Sequence, residues 1–262
     1  MPDIKLPKLP ELPMDRVINF ESKWIWGVTD LKKFDELVGE LKKILEPGYY
    51  IGDHFISWVN NNSLFEDKEF VAAYQKNIAI DSDQGIAWRR YILACSAYHC
   101  VNLPGDFAEF GTWNGTGIKT VIDYLGGIQF PKTFWGYDTF DYNPVEGQHF
   151  EGQADGFFEK VKERFKDYPQ VRLIKGLLPE SFAQGMPQEL AYMHIDLNNF
   201  KGEIAVLESL FDRLVPGGMV ILDDYESSGI YREQKKEEDK WFEQRDYRVL
   251  PLPTGQGLII KR

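Results

Sequence analysis

Three aspartates close two short apolar runs. Leu190-Ala191-Tyr192-Met193-His194-Ile195 leads into Asp196, and Gly218-Met219-Val220-Ile221-Leu222 leads into Asp223-Asp224. Short apolar runs with polar boundaries read as buried strands, and open α/β sheets bind ligands at the carboxyl ends of their strands. Three carboxylates gathered there repel one another unless a positive charge sits among them. An all-oxygen acidic set suits a hard divalent cation such as Mg2+. The pattern therefore points to metal-assisted chemistry.

A second ligand-binding pattern lies upstream. Asp106–Phe110 reads as a strand, followed by Gly111-Thr112-Trp113-Asn114-Gly115-Thr116-Gly117 and then a helix. Gly111, Gly115 and Gly117 let the backbone approach a ligand closely before the helix starts. The spacing is not GxGxxG, which disfavours a dinucleotide and a dehydrogenase. A tight structural turn without a ligand would use the same glycines. Asp138 closes the next strand, where an acid can accept hydrogen bonds from both hydroxyls of a ribose; a cap or loop acid is the bland alternative.

Holding these groups together requires strands that alternate with helices. From Gly105 onward the pattern predicts strands at 106–110, 133–137, 171–174, 190–195 and 218–222, with helices between them. A closing antiparallel pair follows at 247–250 and 257–261. This is a parallel, doubly wound α/β sheet covered on both faces. Upstream, apolar residues recur at helical spacing over 30–45, with Thr29 or Asp30 as N-cap, and further helices are expected near 68–76 and 82–101. The chain thus divides into a proline-rich arm (1–16), a helical extension or lid (17–100) and a core (101–262). The arm suggests packing on a partner subunit, and so a homodimer.

Composition narrows the function classes. The chain has 262 residues, 43% hydrophobic and 15% aromatic, with a net charge of −11. That balance argues against nucleic acid and against an anionic membrane surface as partners. No apolar run reaches the roughly 18 residues of a membrane span. Met1–Pro13 lacks the apolar core of a secretion signal. Cys95 and Cys100 share one predicted helix, point in different directions and are not expected to pair, which fits a reduced, cytoplasmic setting.

Four segments, in order and spacing, carry a resemblance: Gly105-Asp106-Phe107-Ala108-Glu109-Phe110-Gly111-Thr112-Trp113, Tyr137-Asp138-Thr139-Phe140, His194-Ile195-Asp196, and Leu214-Val215-Pro216-Gly217-Gly218-Met219-Val220-Ile221-Leu222-Asp223-Asp224-Tyr225. As a set they resemble the macrocin O-methyltransferase (TylF-type) family of class I S-adenosylmethionine-dependent methyltransferases, over about residues 82–262. The resemblance implies a Rossmann-like sheet of seven strands with its last pair antiparallel. It also implies Mg2+-dependent methyl transfer from S-adenosylmethionine to a hydroxyl, often on a sugar of a natural product.

Carried over by position, the resemblance makes Asp196, Asp223 and Asp224 metal ligands, with Asp196 also the general base. Glu109, Gly111, Thr112, Trp113, Gly115 and Gly117 become the cofactor loop, Asp138 the ribose acid, and Gly176 part of a segment beside the adenine. There are two departures. Leu177 stands where the family has an aromatic residue. Asn198 stands where it has a second acid after Asp196, keeping an oxygen but losing a charge. His194 and His149 are alternative proton acceptors. Trp24, Trp26, Trp58 and Trp88 are candidates to cover the acceptor, and the loop up to Gly156 a candidate lid. The acceptor implied is a small sugar-containing molecule with a free hydroxyl. A catechol-type phenol, which also offers adjacent oxygens, is the alternative acceptor, and a non-catalytic binding protein on the same fold is the alternative class.

Overall fold

The computed structural model describes residues 27–45, 49–52, 54–58, 60, 63–80, 83, 85–140, 156–229 and 231–262. The proline-rich arm, Trp24, Trp26, His149 and the loop 141–155 lie outside these residues. Asp30 starts helix α1 (Leu31–Ile44) by accepting from the Lys33 N–H at 2.9 Å, which satisfies an amide the helix itself leaves unpaired. Next come an antiparallel hairpin, β1 (Tyr50–Gly52) and β2 (Phe55–Ser57), and then α2 (Ser63–Glu66), α3 (Lys68–Asn77) and α4 (Ala87–Cys100). The hairpin interrupts a stretch expected to be helical. Tyr50, Ile51, Phe55 and Ile56 are aromatic or β-branched, the types that favour pleated backbone. Tyr50 anchors it, donating from its hydroxyl to the Gly85 carbonyl at 2.9 Å and packing with Leu64, Phe70 and Tyr74.

The remainder alternates: β3 (Asp106–Phe110), α5 (Thr116–Tyr124), β4 (Phe134–Asp138), α6 (Phe157–Arg164), β5 (Val171–Lys175), β6 (Leu190–Ile195), α7 (Phe200–Leu210), β7 (Leu214–Leu222), α8 (Tyr231–Glu243), β8 (Leu250–Pro251) and β9 (Gly257–Ile260). One sheet of seven strands results, in the order β5-β4-β3-β6-β7-β9-β8. β9 runs antiparallel to both β7 and β8, and the other pairs are parallel. β7 begins at Leu214, earlier than the apolar run suggests. Leu190 pairs with Leu214 and Tyr192 with Met219, so the Pro216-Gly217 stretch bulges out and the strand resumes beyond it.

Alternation along the strands sets the two faces. Phe107, Tyr192 and Ile221 pack with Leu93 and Ala97 of α4 and Ile118 and Val121 of α5. Ala108, Met193 and Val220 pack on the other side with Val206 and Leu207 of α7 and Trp241 and Phe242 of α8. α4 thus serves the sheet as well as the N-terminal helices. Glu109 and His194, flanked by those residues, share the face that α4 covers.

Chain order reverses between β3 and β6, and the carboxyl ends of these strands form the crevice of the fold. Gly111 and Asp196 meet there. Gly111 has φ +94°, and a Cβ on it would lie 1.8 Å from the Asp196 carbonyl oxygen. Asp196 N–H donates to Phe110 O at 2.8 Å, locking the strand ends together. Gly111→Ala should therefore force β3 and β6 apart and cost more than about 3 kcal/mol. Gly39→Ala, in α1 with nothing within 4 Å of its Cβ position, should stabilise by about 0.5–1 kcal/mol. Urea denaturation of the two variants checks this contrast; an unaffected Gly111→Ala midpoint would contradict the packing described.

α7 and α8 bury a pair of acids, Glu203 and Glu238, each 0% exposed. Glu203 Oε1 accepts the Leu197 N–H at 3.1 Å, holding the loop that follows Asp196. Its Oε2 and both Glu238 oxygens meet no donor among the described residues; a proton shared between the two carboxyls would pair two of these three. Burial, with the charge of Glu238, raises Glu203 well above its ordinary range, and burial raises Glu238 from 4.5 to about 7. A raised carboxyl contributes stability that is complete below its unfolded value and is lost as pH climbs through its folded value. The contribution of Glu238 should therefore decline between about pH 4.5 and about pH 7, by on the order of 3 kcal/mol. Glu238→Gln, whose amide can donate to Glu203, should remove that slope and melt higher than the parent at pH 8. Melting curves across pH decide it, and equal slopes would contradict the shared proton.

Candidate active site

A row of polar side chains crosses four adjacent strands at the carboxyl edge. Glu109 of β3 stands opposite His194 of β6 in register, and its Oε2 lies 2.9 Å from His194 Nδ1. His194 Nε2 lies 3.3 Å from Asp223 Oδ1, at the end of β7. Gln256, leading into β9, donates to the same Asp223 oxygen at 2.7 Å. Glu109, His194, Asp223 and Gln256 are all buried. Burial alone would lower the His194 pKa, but hydrogen bonds to Asp223 and Glu109 outweigh it and raise it from 6.5 to about 9. The imidazole is thus a cation donating to an acid on each side.

Helix α4 brings two more cations. Arg89 Nη1 donates to Asp223 Oδ2 at 2.8 Å, to Asp224 Oδ1 at 2.9 Å and to the Asp223 carbonyl at 3.3 Å. Arg90 stays firmly charged: burial opposes this, but Asp223, Glu109, Asp83 and Asp196 outweigh it. Burial would raise Asp223, yet Arg89 and His194 hold its carboxyl well below the usual range. Asp224 is raised, by burial first and by Asp223, with Arg89 and Ser227 opposing. Asp196 is raised furthest from comfort: burial and the charges of Asp223 and Asp224 push it well above its ordinary value. Among the described residues, Asn198 reaches it, its amide donating to Asp196 Oδ1 at 3.3 Å. Asn198 itself adopts φ +53°, a left-handed conformation that asparagine tolerates better than most residues.

Two of the three predicted aspartates, Asp196 and Asp223, thus come together with His194, while Asp224 sits beside Asp223 on Arg89. Asp196, Asp223 and His194 each offer a ligand atom within 4.8 Å of one another. His194, with a nitrogen turned to each neighbouring acid, holds Asp223 in place rather than presenting a lone pair. Asp224 lies outside that set and shares Arg89 with Asp223. This donor set fits a divalent ion bound by oxygen.

The glycine loop gives a mixed picture. Gly111, Gly115 and Gly117 are required by the protein itself: added Cβ atoms would meet Asp196 O, the Phe165 ring at 2.4 Å and Glu109 Oε2 at 2.5 Å. Gly111 and Thr112 N–H groups both donate to the Tyr137 carbonyl. Asp138 fastens the loop, with Oδ2 accepting the Trp113 N–H and Oδ1 the Phe140 N–H, each at 2.6 Å. The Gly176 N–H donates to the Asp138 carbonyl at 2.9 Å, which puts the segment after β5 beside the end of β4. Leu177 is exposed. Thr112 Oγ1, Trp113 Nε1 and Asn114 Nδ2 are buried without a partner among the described residues. Buried polar atoms are costly unless something pairs with them, so the loop fits a polar ligand.

Arg89, Arg90, Gln256 and Glu203 escaped the sequence reading. The one available signal was the Arg89-Arg90 doublet inside an otherwise apolar helix. Among the added residues and His194, the imidazole is the central strut. His194→Phe would leave Glu109 and Asp223 buried without their shared cation and should cost about 3–5 kcal/mol. Urea unfolding at neutral pH measures this, and a loss below about 1 kcal/mol would contradict the linkage.

A family model described as macrocin-O-methyltransferase (TylF) matches residues 94–240. Among sequence relatives, the 8-demethyl-8-(2,3-dimethoxy-alpha-L-rhamnosyl)-tetracenomycin-C 4'-O-methyltransferase of Streptomyces olivaceus is 28% identical over 142 residues, covering 47% of this chain and 54% of the relative. The mycinamicin III 3''-O-methyltransferase of Micromonospora griseorubida is 27% identical over 157 residues, covering 48% and 60%. The chain spans about half the length of the curated relatives it matches. Among solved structures, the O-methyltransferase NovP shares the fold, with a TM-score of 0.58 at 18% identity, covering 77% of this chain and 99% of that one. The matched stretch takes in the cofactor loop and all three aspartates, and the chain belongs to the macrocin O-methyltransferase (TylF) family.

Proposed function

We propose that this protein is an S-adenosylmethionine-dependent O-methyltransferase that modifies a hydroxyl of a sugar-containing small molecule, with a divalent cation held by Asp196, Asp223 and Asp224. The observation that carries the reading is the meeting of Asp196 and Asp223 at the carboxyl ends of β6 and β7, with Asp224 next in the chain, in a protein of this family. The named activities of its relatives, on a rhamnosyl-bearing tetracenomycin and on a mycinamicin, favour a glycosidic acceptor.

S-adenosylmethionine, when bound, supplies an electrophilic methyl group; a divalent ion, when bound, supplies charge that makes an acceptor hydroxyl more acidic. The chain's own residues do the rest. Asp138 retains lone pairs beyond its two backbone hydrogen bonds and is the candidate acceptor for ribose hydroxyls. Thr112, Trp113 and Asn114 offer their unpartnered polar atoms to the same ligand. His194 and Gln256 fix Asp223, leaving its Oδ2 facing the crevice side held by Arg89. Asp196, which follows β6 at the crevice, is the candidate proton acceptor. His194 is a poor alternative, since it already carries a proton near neutrality and both nitrogens face acids. Alignment of the acceptor oxygen with the methyl group would contribute much of the remaining rate.

The experiment is transfer of labelled methyl from S-adenosylmethionine to a panel of nucleotide sugars, glycosides and catechols. The expected result is transfer to a sugar hydroxyl, reduced about 100-fold or more by EDTA and by Asp196→Asn. A catechol preferred over every sugar would replace the acceptor. Turnover untouched by chelator would remove the metal from the site.

A further inference from the structure

Arg89 stands where the sequence pattern calls for a metal. Its Nη1 has three oxygens around it, from two consecutive residues: Asp223 Oδ2, Asp224 Oδ1 and the Asp223 carbonyl. One positively charged atom among several oxygens is the arrangement that a cation site provides. The Arg89 side chain is 12% exposed, against 7% for Asp223 and 14% for Asp224, so solvent screens these contacts weakly.

The bookkeeping of lone pairs makes the overlap sharper. Asp223 Oδ1 is taken by Gln256 and His194. The oxygen of Asp223 left for any ligand is Oδ2, and Arg89 donates to it at 2.8 Å, leaving one lone pair beside a fixed positive charge. A divalent ion that binds through Asp223 must take that oxygen, and it would then face a guanidinium that cannot lose its proton. The two cations repel at such a separation. Arg89 answers Asp223 and Asp224 directly, whereas the positive charges acting on Asp196 are those of His194 and Arg90.

We infer that Arg89 is a tethered counter-ion that occupies the aspartate cluster in the metal-free protein and must be displaced when a divalent ion binds. Resting on the proposed metal site, this assigns to Arg89 the setting of cation affinity: metal loading is an exchange, with a monovalent side chain leaving as a divalent ion enters. Arg89 keeps the acids from repelling one another in the absence of metal, and it weakens metal binding by the same interaction. A neutral residue at this position should reverse both effects.

The test uses Mn2+ as probe, titrated calorimetrically into the full chain. Arg89→Gln should bind Mn2+ about ten-fold or more tightly than the parent. In EDTA it should melt below the parent, and excess Mn2+ should close the gap. Binding equal to or weaker than the parent's, where the parent binds, overturns the exchange and leaves the metal site intact. If neither protein binds Mn2+, the metal site and the exchange fall together. Should Arg89→Gln not fold, side-chain NMR of the parent protein supplies a second readout. The Arg89 guanidinium protons should be protected in EDTA and released by Mg2+; protection that Mg2+ leaves unchanged, while the aspartate signals shift, overturns the exchange.

Discussion

Buried carboxylates must be answered by positive charge or by hydrogen bonds, and this constraint organises the molecule. Glu109, Asp196, Asp223 and Asp224 gather at one sheet edge, and three elements are shaped to meet them. β6 supplies His194 at the register position opposite Glu109. The turn into β9 supplies Gln256. α4 lies across the same face and supplies Arg89 and Arg90. Seen this way, α4 is no accessory: its apolar residues cover β3, β6 and β7, while its arginines complete their charged edge. The insertion of antiparallel β9 beside β7 has the same logic, since it brings Gln256 to an acid that follows a parallel strand.

What the sequence disclosed were local features. An apolar run with an acid at its end names both a strand and the residue at its carboxyl tip, so β6 with Asp196 and β7 with Asp223-Asp224 could be read directly. The alternation of strands and helices gave the seven-stranded sheet. The answering charges could not be read, because they come from far along the chain. Arg89 reaches Asp223 across 134 positions, and Gln256 reaches it across 33. Glu203 and Glu238 carry no local mark of burial, which arises only where α7 packs on α8. The β1–β2 hairpin was missed for a different reason: its strands are three residues each, too short to display a period of two.

Glycines illustrate how one pattern serves two masters. The loop after β3 has the composition of a ligand cradle, and each glycine also has an internal reason to be there. Gly111 clears the Asp196 carbonyl, Gly115 clears the Phe165 ring and Gly117 clears Glu109. Beside them Thr112, Trp113 and Asn114 each bury a polar atom that has no partner among the described residues. Asp138 joins the two roles, since its carboxylate stitches the loop to the end of β4 before any ligand arrives. A preorganised loop of this kind lowers the cost of ordering that binding would otherwise incur.

The central claim is that the aspartate edge is a cation site compensated from within until an ion takes over. Anomalous diffraction from a crystal grown with S-adenosylhomocysteine and soaked in Mn2+ addresses it most directly. The account predicts one strong peak about 2.2 Å from carboxylate oxygens of Asp196, Asp223 and Asp224, with Arg89 turned away. The same three side chains free of any peak, and Arg89 still seated between Asp223 and Asp224, would contradict it.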